Sequence, residues 1–314
     1  MAIEKQADVV PFDREKIQRT EGRLDGWLRR QGWMEPVSDF VQKLVGGFYG
    51  ALGKPGRTLQ DLMHGVWPLG HPLHPALTDV PLGAWFAAVV LGFASYIWPA
   101  VPAAVGPSVL AVGIVAALAA AAAGYTDFHD TYGLERRTGL LHGLTMTLAV
   151  LVMVVSLAVT IWSPGGRAAA LAIATAGLLI SLFGAFVGGH LTFKLGTMVN
   201  RHAFTEFPEE WFEAGDPKDF GEGELKLAHA GSIPVLVVRR NGTLNAIAAT
   251  CSHAGGPLQE GRLDGDIVTC PWHGSRFCVR DGAVKGGPAT FAQPVFLVHE
   301  DAGRVRLRAA RSGH

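Results

Sequence analysis

Four stretches of the chain contain no Asp, Glu, Lys or Arg: 80–98, 105–124, 140–162 and 168–193. Each supplies about the 20 residues that a helix needs to cross a hydrocarbon core of roughly 30 Å. A buried bundle in a water-soluble protein would need polar outer faces, which these segments lack. The pattern therefore predicts four transmembrane helices. The connections 99–104 and 163–167 carry one positive charge, Arg167, whereas Arg136, Arg137, Lys194 and Arg201 collect at the other end with the N-terminal segment. Basic flanks mark the cytoplasmic side, and Tyr96, Trp98 and Trp162 gather at the opposite face as interfacial aromatics do. A multi-pass cell-membrane protein with both ends in the cytoplasm is expected.

Two polar regions flank the helices. Residues 1–32 are charged, have no apolar core of the kind a signal peptide carries, and suggest a short helix near 13–30. From Val37 onward, Phe40, Val41, Leu44, Val45, Phe48, Tyr49 and Leu52 recur at helical spacing, predicting an amphipathic helix on the membrane surface or packed on protein. Residues 1–69 thus read as a cytoplasmic N-terminal segment, and 70–200 as the membrane domain. Beyond 200 the period changes to two: Val235 to Val238, an Asn241-Gly242 turn, Leu244 to Ala248, Val268-Thr269, Phe277 to Val279, Val295 to Val298 and Val305 to Leu307. A small antiparallel β domain over 201–314 is expected, making the chain multidomain, an all-α four-helix bundle followed by an all-β domain.

Composition agrees with this division. Of 314 residues 49% are hydrophobic and only 17% charged, too apolar for an ordinary soluble protein of this length. The zero formal net charge offers nothing to attract nucleic acid. There are three cysteines; two belong to the chemistry below, and Cys278 reads as a small buried hydrophobe.

That chemistry lies in Cys251-Ser252-His253 and Cys270-Pro271-Trp272-His273, sixteen residues apart. Each half supplies one thiolate and one imidazole, so that two loops facing each other could hold one iron with two cysteines and the other with two histidines. A structural zinc site uses the same residue types but more often pairs like with like. The motif C-x-H-x16-C-x2-H, with Gly255-Gly256-Pro257-Leu258 and Gly274-Ser275-Arg276-Phe277 after its halves, resembles the Rieske family over about the last 105 residues. The resemblance implies a Rieske 2Fe-2S cluster on Cys251, His253, Cys270 and His273, with an exposed histidine edge through which single electrons pass. Rieske proteins of quinol-oxidising complexes carry two further cysteines in a disulfide and often a tyrosine near the cluster; here Gly256, Trp272 and Phe277 occupy those places, while Ser275 keeps a hydroxyl. A ferredoxin-like relay is implied, with a potential toward the lower part of the roughly −150 to +300 mV range. With only about 40 residues after His273, the mononuclear-iron domain of a Rieske oxygenase is not expected.

Gly70-His71-Pro72-Leu73-His74-Pro75, Thr78 to Gly83 and Gly188-Gly189-His190 resemble a family of small four-helix bacterial membrane proteins with no assigned activity, which implies fold more than function. His64, His71, His74, His129, His142, His190 and His202 all map to one side of the membrane. A b-type haem would explain this, with His142 and His190 as the best helix-borne pair and His71 or His74 as further ligands. Another metal, a quinone pocket, or plain hydrogen bonding and capping are the alternatives, and Asp79 and Asp127 read as caps or surface groups. The expected function is membrane-anchored single-electron transfer with a redox partner protein. A subunit of a quinone- or haem-linked oxidoreductase is the alternative, and a redox sensor the third.

Overall fold

A computed structural model describes residues 22–66, 68–163 and 165–310. Of the helix expected near 13–30, the part before residue 22 lies outside these. The rest forms α1 (Arg23–Arg29), followed by α2 (Met34–Ala51) and α3 (Gly53–His64), which ends on the left-handed Gly65. Helix α2 presents two apolar faces. Met34, Val37 and Val41 pack on Phe128 and Leu140, whereas Phe40, Leu44 and Phe48, each four residues apart, remain exposed.

Four long helices follow: α4 (Leu73–Ile97), α5 (Val105–Phe128), α6 (Gly133–Trp162) and α7 (Arg167–Phe193). Each is long and apolar enough to cross a membrane. Compared with the uncharged stretches, α4 starts seven residues earlier (73 against 80), α5 ends four later (128 against 124) and α6 starts seven earlier (133 against 140). Absence of charge locates the part of a helix suited to lipid, while backbone hydrogen bonding continues through the polar turns beyond it. All three extensions lie at the same end of the bundle. Helices α4 and α5 form one antiparallel hairpin, α6 and α7 the other, and α5 on α6 with α4 on α7 closes the ring, leaving α4 and α6 on a diagonal. Small residues let the helices approach: a Cβ on Gly113 would meet the fully buried Trp85 indole at 2.5 Å, and one on Gly177 would meet Met153 at 3.0 Å.

The N-terminal helices dock on the extended end. Arg136 pairs with Glu35 and Asp39, and Arg137 donates to Glu35 at 2.8 Å and to the Leu28 carbonyl at 2.8 Å.

The remaining residues form two antiparallel sheets. The first has the order β1-β10-β9-β4-β3-β2, built from β1 (Phe212–Gly215), β2 (Lys226–Ala230), β3 (Ile233–Arg240), β4 (Thr243–Ala248), β9 (Val295–Asp301) and β10 (Arg304–Ala309). The second is the meander β5 (Arg262–Asp264), β6 (Ile267–Thr269), β7 (Arg276–Cys278) and β8 (Val284–Gly286). Asn241 and Gly242 both take positive φ in the β3–β4 turn, as a tight hairpin requires. The buried alternation in β3 divides two cores: Val235 and Val237 face the first-sheet core, while Leu236 and Val238 join Ile247, Val268 and Phe277 under the loops that carry the paired Cys and His.

Candidate metal centre

The two Cys–His loops are built alike. The first leaves β4 and the second joins β6 to β7. In the first, the Cys251 N–H donates to the Gly256 carbonyl at 2.8 Å and the Gly255 N–H to the Cys251 carbonyl at 2.9 Å. In the second, the Cys270 N–H donates to the Ser275 carbonyl at 2.8 Å and the Gly274 N–H to the Cys270 carbonyl at 3.1 Å. Both loops turn on a glycine four residues after the cysteine, Gly255 at φ 84° and Gly274 at φ 76°, a region costly for other residues.

The turns bring the four expected ligands to one point. Cys251 and Cys270 are buried with their sulfurs within hydrogen-bonding reach of each other. The His253 and His273 rings stand 4.9 Å apart at 82°. The Nδ1 of His253 is buried without a hydrogen-bond partner, which fits a nitrogen reserved for a metal. Burial, with the neighbouring His273, holds His253 down to about 4, and burial likewise lowers His273; both therefore enter as neutral imidazoles, the form that ligates. The Cys270 sulfur and burial push the Cys251 thiol up, a situation that binding to a cation reverses. A Cβ on Gly256 would come within 2.8 Å of the Cys270 sulfur and 3.0 Å of the Trp272 ring, so this wall is shaped by the absence of a side chain.

Residues 210–297 match the family model described as Rieske [2Fe-2S] domain. The ferredoxin component of biphenyl 2,3-dioxygenase from Rhodococcus jostii (strain RHA1) is 40% identical over 80 residues, 26% of this chain and 75% of that protein. The chain belongs to the Rieske family. Ferredoxin CarAc of Metapseudomonas resinovorans is 33% identical over 96 residues, 30% of this chain and 90% of that protein. Among solved structures, a complex of reduced oxygenase and oxidised ferredoxin in carbazole 1,9a-dioxygenase matches at 32% identity, covering 32% of this chain and 94% of that one, with a TM-score of 0.30. Residues 70–203 match a second family model, described as Predicted membrane protein (DUF2231). Rieske membership implies a 2Fe-2S cluster, and the donor set described above, two thiols and two neutral imidazoles with one orphaned nitrogen, fits it.

Around the Rieske loops the structure shows contacts that the sequence had not marked. Ser252 Oγ donates to the Phe291 carbonyl at 2.7 Å, and His202 Nε2 donates to the Thr250 carbonyl at 2.8 Å, tying the segment after α7 to the first loop. Ser275 Oγ accepts the Ala289 N–H at 3.0 Å. The histidine edge faces the helical half of the chain: the Tyr132 ring lies 5.1 Å from His273. Asp61 on α3 accepts the Gly287 N–H at 2.8 Å and contacts Arg276 at 3.4 Å. Between the two halves a cleft of about 330 Å³ opens beside His273, lined also by Arg57, His64, Asp130 and Arg276.

His64, fully buried at the floor of this contact, lies between Asp127 Oδ1 at 2.9 Å and Asp130 Oδ2 at 3.2 Å. Burial pushes its pKa down, but hydrogen bonds and charge from the two carboxylates win and hold it up at about 9. Against burial, His129 and His64 hold Asp130 down at about 2. Asp127, expected as a cap or surface group, is thus a buried partner of His64. Nothing local in the sequence marked this, because the two lie 63 residues apart.

The remaining histidines of the helical half separate. His190 Nε2 bonds Asp25 at 2.7 Å, and His71 Nδ1 bonds the Pro72 carbonyl at 3.0 Å. The expected pairing of His142 with His190 is replaced by His142 facing His74, with ring centroids 6.0 Å apart. The early start of α4 at Leu73 carries His74 into the bundle.

Proposed function

We propose that the chain is a membrane-anchored Rieske electron carrier, divided into an N-terminal segment (1–69), a four-helix membrane domain (70–200) and a Rieske domain (201–314). The observation that carries this reading is the convergence of two like-built loops on two thiols and two neutral imidazoles. Cys251 and Cys270 would hold one iron, His253 and His273 the other. When bound, the cluster supplies reversible one-electron storage. The protein's own part is to exclude water with buried Cys251, Cys270, Leu258 and Phe277, to place the Ser275 hydroxyl beside the second loop, and to keep the imidazole edge near a redox partner. The relatives named as dioxygenase ferredoxins support single-electron delivery to a protein partner.

Arg136 and Arg137, the docked N-terminal helices and the Rieske domain share one end of the bundle, whereas exposed Trp98 and Trp162 lie at the other. This supports a cytoplasmic N-terminus and Rieske domain. The exposed Phe40, Leu44 and Phe48 face of α2 suits the adjoining lipid interface.

A second reading, a subunit of a quinone- or haem-linked membrane oxidoreductase, is favoured by the placement of Tyr132 and the cleft against His273, which turns the electron exit toward the bundle. Redox titration of isolated membranes followed by EPR tests the main reading. It predicts a one-electron wave; zinc in place of reducible iron overturns it. Protease treatment of inside-out and right-side-out vesicles tests sidedness, with cleavage of the Rieske domain expected only in inside-out vesicles.

A further inference from the structure

His74 on α4 and His142 on α6 come from diagonal helices and meet in the bundle with ring centroids 6.0 Å apart and planes at 75°. Each ring is fixed in the same way. His74 Nδ1 bonds the Ala120 carbonyl of α5 at 2.8 Å, and His142 Nδ1 bonds the Gly184 carbonyl of α7 at 2.8 Å. A carbonyl only accepts, so both Nδ1 atoms carry the proton and both Nε2 atoms present a lone pair. Among the described residues no side chain donates to either Nε2. Glycines on the neighbouring helices clear the space: a Cβ on Gly124 would strike the His74 ring at 2.7 Å, and one on Gly188 the His142 ring at 3.0 Å.

Two adjacent imidazoles, each with one nitrogen anchored to a carbonyl and the other presenting a lone pair, are the arrangement of metal-ligating histidines. With metal–nitrogen bonds of about 2.0–2.1 Å and nitrogens about 1.1 Å from the ring centre, two imidazoles on one metal have centroids at most about 6.3 Å apart. The observed 6.0 Å lies just inside that limit. A quinone carbonyl fits less well, since it too only accepts hydrogen bonds.

We propose that His74 and His142 are two nitrogen ligands of a transition-metal centre within the bundle, carried as a haem iron or as a bare ion. The site stands on its own geometry; its role as the next redox station after the Rieske cluster rests on the function proposed above. The His64, Asp127 and Asp130 group connects the two: Asp127 shares its helix with the Ala120 carbonyl that holds His74, and its partner His64 lines, with Asp130, the cleft beside His273.

The test is metal analysis and an optical spectrum of the full chain purified in detergent, before and after incubation with haemin, Cu(I) or Zn(II). About one metal per chain beyond the cluster iron is expected. A Soret band with it identifies haem, and a metal without the band identifies a bare ion. His74→Ala and His142→Ala should each abolish it while the Rieske EPR signal persists. Gly124→Ala, a helix-compatible change, should weaken it by crowding His74, and His71→Ala should leave it unchanged. Wild-type protein that takes up no such metal, or histidine variants that retain it, overturns the proposal. Loss of the Rieske signal in wild type would instead count against the electron-carrier reading.

Discussion

The ring of Tyr132, in the connection between α5 and α6, lies 5.1 Å from the ring of His273 in the second Rieske loop. This contact, with Asp61 accepting the Gly287 N–H, sets the Rieske domain on the extended end of the bundle. In Asp61→Ala the Gly287 N–H and Arg276 lose their partner. At about 1 kcal/mol or more per hydrogen bond, opening of the two halves should rise on the order of tenfold. Limited proteolysis between α7 and β1 measures it: faster cleavage with an intact EPR signal is expected, and unchanged cleavage would show that the contact does not hold the halves together.

His64 gives the docked end a pH dependence. Its folded pKa, held up at about 9, exceeds the ordinary value of 6.5. The stabilisation is therefore complete below about pH 6.5 and disappears as pH rises through 9, up to about 3 kcal/mol in all. Thermal melts of the purified chain should show a melting temperature that falls from pH 6.5 to 9.5, and His64→Gln should flatten that fall. An equal slope in the variant would assign it to other groups.

Gly256 and Gly274 separate space from strain. Alanine at Gly256 would put a Cβ 2.8 Å from the Cys270 sulfur, whereas at Gly274 nothing lies within 4 Å and only the positive φ is penalised, by about 1 kcal/mol. Iron content of the two purified variants should therefore differ: Gly256→Ala loses most of its cluster, and Gly274→Ala keeps it.

Ser275 Oγ accepts a backbone N–H, which leaves its own proton available to a cluster sulfur. A hydrogen bond worth about 1.4 kcal/mol more to the reduced cluster corresponds to roughly 60 mV in a one-electron couple. Ser275→Ala should lower the midpoint potential by about that amount. An unchanged potential in a destabilised variant would limit Ser275 to holding Ala289.

Much of this architecture was legible because single physical constraints act over contiguous residues. Lack of charge located the parts of α4 to α7 suited to lipid, and two-residue alternation with Asn241-Gly242 located β3 and β4. The two Cys–His loops were legible for the same reason: the spacing within each is local, and Gly255 and Gly274 mark the turns. What the sequence hid was assembled across distance. The partnership of His64 with Asp127, the place of Asp61 under Gly287 and the approach of Tyr132 to His273 join residues far apart in the chain. His142 was matched to His190 because both lie in helices; the polar turn that begins α4 concealed that His74 is the residue it faces.

The account rests on the four ligands, and EPR of dithionite-reduced membranes tests them most directly. Wild-type membranes should give a Rieske-type spectrum that Cys270→Ser abolishes. A Cys270→Ser variant with an unchanged spectrum would contradict the assignment.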